Sequence, residues 1–159
     1  NLQLKDGIVK IKTFEDKAPK HVKQITDLVA KGSYDGVVFH RVIDGFMAQT
    51  GDVQFGNSNS DTYDLRRAGT GGSGSNIEAE FNDMPHKRGT LSMARAQDPN
   101  SADSQFFICF GDTPHLDGQY TVWGEVIEGM EFVDAIKKGD PIKNGLVDDP
   151  DKIIKMWIE

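Results

Sequence analysis

The apolar positions of this chain change period several times, and each change marks an element. In LQLKDGIVKIKTF, Ile8, Lys10 and Lys12 alternate with Val9, Ile11 and Thr13. A period of two predicts a half-buried strand. Asp6-Gly7 is strong turn chemistry and predicts two short strands around a Lys5-Asp6-Gly7-Ile8 turn. In APKHVKQITDLVAKG the period lengthens, and Val22, Ile25, Leu28 and Val29 fall on one helical stripe. Pro19 suits the first turn of that helix and Gly32 the position just past its end.

The runs VVFHRVI, FMAQTG, RGTLSMA, SQFFICF, YTVWGEV and DKIIKMWIE read as further strands. GMEFVDAIKKG predicts a second, shorter helix, with Phe132, Val133 and Ile136 on one side and Lys137 and Lys138 near its C-terminal end. VQFGNSNSDTYDLRRAGTGGSGSN is rich in Gly, Ser, Asn and Asp and predicts a long loop, of the kind that is usually functional or mobile. The tally is eight strands and two helices, with helices seldom between strands. That opposes a doubly wound parallel sheet. It predicts a mainly β fold in which a closed eight-stranded antiparallel barrel is capped by two helices.

Composition narrows this little. A chain of 159 residues fits one domain, residues 1–159, and 37% hydrophobic with 27% charged residues is ordinary for a soluble protein. The net charge of −7 argues against nucleic acid or an anionic membrane as partner. No apolar run approaches the ~20 residues of a membrane span, and no signal-peptide pattern is present. Cys109 is the sole cysteine and reads as a buried small hydrophobe. A disulfide-free chain suits a reducing compartment, so a cytoplasmic location is the expectation. The periplasm is the alternative if a leader preceded Asn1.

The familiar chemical motifs fail. GTGGSG, Gly69 to Gly74, has the G-x-G-x-x-G spacing, but neither an apolar strand before it nor a long helix after it. The histidines His21, His40, His86 and His115 lack zinc spacing, and no GxSxG elbow occurs. No cofactor and no metal are expected. His40, alternating with Val38 and Val42, reads as a satisfied core histidine.

What remains is FHRVIDGFMAQTGD, Phe39 to Asp52, an apolar stretch that carries Arg41 and Gln49. A two-residue turn at Asp44-Gly45 would send these two side chains to opposite faces. A three-residue turn, Asp44 to Phe46, sets Arg41 opposite Gln49, where the guanidinium donates to the amide oxygen. The second register is preferred. Val42 and Ala48 then share the inner face with His40, while Phe46 and Met47 lie near the polar pair.

This stretch resembles the signature of the cyclophilins, peptidyl-prolyl cis–trans isomerases. GTGG, LSMARA, SQFFI and HLDGQYTVWGEVIEGM follow in that family's order. The resemblance implies the capped barrel already counted. It implies that Arg41 is the catalytic arginine and that Phe46, Met47, Phe107 and Leu116 hold the proline ring. It further implies that Gln49 and Gln105 line the groove, that Ala94, Arg95 and Ala96 pair with substrate backbone, and that Gly69 forms the far wall. His115 stands where the eukaryotic pattern has tryptophan and Tyr120 where it has histidine; Arg95 is similar to the bacterial branch. His115 implies weak cyclosporin binding, and Tyr120 still offers an apolar ring with a polar tip. The loop between Asp52 and Gly69 is longer than the family usually carries. The expected partners are proline-containing peptides and unfolded chains, acted on by a monomer that assists folding. The alternative is a low-turnover peptide-binding chaperone using the same groove, against which the retained Arg41 speaks.

Overall fold

A computed structural model describes residues 1–159. Its strands are β1 (Leu2–Leu4), β2 (Gly7–Thr13), β3 (Arg41–Ile43), β4 (Met47–Thr50), β5 (Thr90–Met93), β6 (Phe106–Cys109), β7 (Val122–Glu128) and β8 (Lys155–Met156). They form one antiparallel sheet in the order β3-β4-β6-β5-β7-β2-β1-β8, curled into a half-barrel. Helix α1 (Pro19–Ala30) buries His21, Val22, Ile25, Leu28 and Val29. Gly32 ends it in the left-handed region (φ 73°). There its amide bonds to the Val29 carbonyl (3.0 Å) while the Ser33 amide reaches that of Leu28 (3.0 Å), so two orphan carbonyls are satisfied.

The run FFIC shows how the sheet divides its side chains. Phe106 and Ile108 enter a core of 25 buried residues that includes Val9, Val42, Ala48, Leu91, Trp123 and the α1 stripe. Phe107 and Cys109 point the other way and join Met47 and Leu116 in a second, smaller cluster. A strand buried on both faces reads as a continuous apolar run rather than an alternation. Cys109 is fully buried, as expected, and burial pushes its thiol up to about 11.

Several expectations need correction. The expected closed barrel is open: no ladder joins the edge strands β3 and β8. Isolated bridges, Val38 with Lys152 and Arg41 with Leu146, span the seam instead. The reason is the irregular segment 139–147 lying along β3. The Val42 amide donates to the Gly145 carbonyl (2.9 Å) and the Val42 carbonyl accepts from the Gly139 amide (2.8 Å). VVFHRVI therefore yields strand at Arg41–Ile43 alone, and DKIIKMWIE at Lys155–Met156 alone. Helix α2 (Met130–Asp134) is shorter than its pattern, and Lys137 and Lys138 lie beyond its end.

The first hairpin is displaced by one residue: Leu4 pairs with Gly7, so Lys5 and Asp6 make the turn. Gly7 serves packing instead, because a Cβ there would meet the Phe132 ring at 2.5 Å. The long loop is packed down. Asp52, fully buried, ties both its ends: Oδ1 accepts the amides of Gln54 (3.0 Å) and Phe55 (2.9 Å), and Oδ2 those of Gly69 (2.8 Å) and Gly71 (2.9 Å). The Arg67 guanidinium lies 4.0 Å over the Phe55 ring. No helix in the chain is long and apolar enough to cross a membrane.

Candidate active site

The β3–β4 hairpin has the preferred register: Arg41 faces Gln49, Val42 faces Ala48 and Ile43 faces Met47. Asp44 to Phe46 form the turn, closed by the Phe46 amide on the Ile43 carbonyl (3.0 Å), and Gly45 supplies the positive φ of 75°. Arg41 Nη1 donates to Gln49 Oε1 at 3.2 Å. On its other edge, Arg41 Nε donates to the Asn144 carbonyl (3.0 Å) and Nη2 to Asn144 Oδ1 (3.2 Å). Partial burial lowers the guanidinium pKa below its ordinary value, yet an arginine remains charged.

Arg41 borders an apolar cavity of about 160 Å³ that it shares with Phe46, Met47, Phe107, Leu116 and Tyr120. Gln49, Ala94 and Arg95 complete the wall. The Phe107 ring is braced on two sides. Tyr120 meets it edge-on (5.9 Å, 85°), and His86 stacks on it (6.1 Å, 17°). His86 is itself pinned, with Nδ1 3.0 Å from Asp117 Oδ1 and Nε2 2.8 Å from Ser92 Oγ. His115 stays outside this cavity, exposed, with its ring 6.0 Å from that of Phe46.

A second, polar cavity of about 330 Å³ adjoins the first, and Gln49, Ala94 and Arg95 line both. Gly69, Ala96 and Gln105 sit here. Hydrogen bonds run from one cavity to the other. Gln49 Nε2 donates to Gln105 Oε1 (3.1 Å), and Gln105 Nε2 donates to the carbonyls of Gly69 and Gly71 (both 2.9 Å). At the edge beyond β5, the Ala94 amide bonds to the Gln105 carbonyl (3.0 Å) and the Ala96 amide to Ser101 Oγ (2.9 Å). Between them the Arg95 amide and carbonyl have no partner in the chain, which leaves one donor and one acceptor of the kind that an added strand can pair with. The Arg95 side chain folds away, 4.6 Å over the Tyr120 ring, and donates to the Gln119 carbonyl.

Gly69 (φ 100°) passes close to His40: a Cβ there would lie 3.1 Å from His40 Nε2. His40 is buried as expected but not satisfied, because its Nδ1 has no hydrogen-bond partner. Burial outweighs the nearby Asp52 carboxylate and lowers the imidazole pKa to about 4. GTGGSG is a loop with no helix after it, so it lacks the helix N-terminus of a dinucleotide site.

All the residues expected at the site thus border these two cavities, except His115 on the rim. Three contributors escaped sequence reasoning: Asn144, His86 and Asp52. The dipeptide Asn144-Gly145 is a turn signal and was legible as such. Nothing local announces that it lands on Arg41.

A family model described as cyclophilin type peptidyl-prolyl cis-trans isomerase matches residues 1–158. A probable peptidyl-prolyl cis-trans isomerase of Brucella abortus is 59% identical over 99% of the chain and 81% of its own length. A peptidyl-prolyl cis-trans isomerase of Helicobacter pylori is 42% identical over 87% of the chain and 79% of its own. Among solved structures, a cyclophilin type isomerase of Cryptosporidium parvum, crystallised in the presence of the dipeptide Ala-Pro, superposes with a TM-score of 0.82. It is 30% identical and covers 99% of this chain and 96% of that one.

Proposed function

The chain belongs to the cyclophilin-type peptidyl-prolyl cis–trans isomerases, and from that premise we propose how its groove turns an X-Pro bond. The carrying observation is that Arg41 and the buried Phe107 border one cavity.

The barrier to rotation is the lost amide resonance, roughly 18–20 kcal/mol, and no covalent bond has to break. Catalysis must therefore favour the twisted amide over both planar forms. In the twisted state the prolyl nitrogen regains a lone pair. A guanidinium N–H directed at that nitrogen stabilises the twisted state and gains little from the planar ones. Phe107, Met47, Leu116 and Phe46 anchor the ring, Tyr120 closes its side, and the preceding carbonyl swings. The unpaired amide and carbonyl of Arg95, flanked by Ala94 and Ala96, hold the substrate backbone as a short added strand. Gln49 steadies Arg41, and Gln105 with Gly69 frames the residues before proline. Proline-containing peptides are the substrates, and flexible or unfolded chains present them. A monomer is the proposed working form.

Arg41→Ala is expected to cut turnover of a proline peptide at least about tenfold, which is ~1.4 kcal/mol of transition-state stabilisation. Its thermal midpoint should stay near that of the wild type. Unchanged turnover would sink the mechanism. His115 offers cyclosporin a small exposed ring outside the apolar cavity, so inhibition should be weak; nanomolar inhibition contradicts that reading.

A further inference from the structure

Arg41 is held from two sides, and the family mechanism above uses one of them. Gln49 takes a single N–H from Nη1. On the opposite edge, Nε and Nη2 present two parallel donors, and Asn144 meets both with its carbonyl and its Oδ1. A guanidinium has five N–H groups. Three are taken in this way, leaving one on each terminal nitrogen for the substrate.

The loop is built to deliver this residue. Asn144 is the sole non-glycine at positive φ (57°), a region that asparagine tolerates better than most side chains. Asp140 organises the approach. Its side chain accepts the Ile142 amide (2.9 Å), its carbonyl the Gly145 amide (2.8 Å), and its own amide reaches the Leu146 carbonyl (3.0 Å). Gly139 and Gly145, on either side, are bonded to Val42, one residue from Arg41. The crossing is tight: a Cβ on Gly139 would lie 1.8 Å from the Gly145 carbonyl oxygen. A left-handed asparagine fixed this firmly is strain that the surrounding loop sustains.

We propose that Asn144 is a positioning residue for the isomerisation, fixing the rotation of the Arg41 guanidinium about its own plane. Gln49 alone holds that group at one point and lets it pivot. The two acceptors of Asn144 remove the pivot and direct the remaining N–H groups into the apolar cavity. The proposal rests on Arg41 acting on the prolyl nitrogen, where the gain depends on donor direction.

Asn144→Gly tests it, because glycine adopts the left-handed backbone freely and keeps the carbonyl while deleting Oδ1. The expectation is a loss of about 3- to 10-fold in kcat on a proline tetrapeptide, with KM within about twofold. In an Arg41→Ala background the same change should alter the residual rate by less than about 1.5-fold, the mark of action through Arg41. Asn144→Asp keeps an acceptor at the same place and should recover most of the lost kcat. Wild-type kcat in Asn144→Gly overturns the proposal. So does an equal loss in both backgrounds, or an Asp variant as slow as the Gly one. Wild-type turnover in Arg41→Ala alone would instead overturn the mechanism of the previous section.

Discussion

The two cavities that meet at Gln49 are built by different means. The apolar one is walled by side chains of strands: Met47 from β4 and Phe107 from β6 sit at alternate positions whose neighbours enter the main core. Its shape follows from packing, and the Phe107 ring is clamped between Tyr120 and His86. The polar one is walled by loops, and its shape follows from hydrogen bonds to Gln105 and Asp52. Under the proposed mechanism, a ring that must be immobile while the chain beside it rotates belongs in the first kind of site. Varied residues flanking the proline suit the second, where backbone amides and carbonyls bind without regard to side chain.

The strongest test of this contrast is Phe107→Ala. Loss of a braced, buried ring should cost about 3–5 kcal/mol of stability. It should also lower kcat/KM at least about tenfold, even for the shortest substrate. Denaturant unfolding and a coupled isomerase assay read the two effects. Retention of activity would mean that the proline ring sits elsewhere.

Asp52→Ala comes next, at about 2–3 kcal/mol, because four amides in two loop ends lose a charged acceptor. KM for peptides extended before proline should rise several-fold, while a dipeptide-length substrate changes little. Equal losses on both would show that the cavities work as one.

The smallest effect concerns His40, which lies against the Gly69 wall. Its folded pKa of about 4 lies below the ordinary value of 6.5. The unfolded chain therefore binds more protons between those values, and stability falls as pH drops through that window. The fall from pH 7 to pH 5 should be about 2 kcal/mol from this group. His21 and His86, also lowered by burial, act in the same direction. A flat unfolding free energy across that range would refute the assignment.

What was legible in the chain was what is local. The hairpin register followed from a period of two together with the mutual need of Arg41 and Gln49, and the residues that line the apolar cavity followed from the motif order. Gly7 misled because Asp-Gly is turn chemistry, while the constraint it meets comes from Phe132, far along the chain. The closed barrel failed for a similar reason. Closure needs a regular partner for β3, and segment 139–147 occupies that edge with one tight turn flanked by Gly139 and Gly145. Asn144 lies 103 residues from Arg41, so no periodicity connects them. His40 was read as buried correctly, yet its unpartnered Nδ1 depends on which neighbours the fold brings, and a single sequence does not list them.

Asp52 carries one more consequence. Because a single carboxylate staples residues 54–55 to residues 69–71, and residues 56–58 are further bonded to Gly36 and Val38, the exposed tip around residues 61–63 is a stretch whose two ends are both fixed to the body of the protein. Such a stretch is a cassette. Doubling its length adds only about 0.6 kcal/mol of closure entropy, so foreign peptides inserted near Asp61 should be displayed beside an intact catalytic groove. That makes this loop a natural place to tether client-binding sequences to the isomerase.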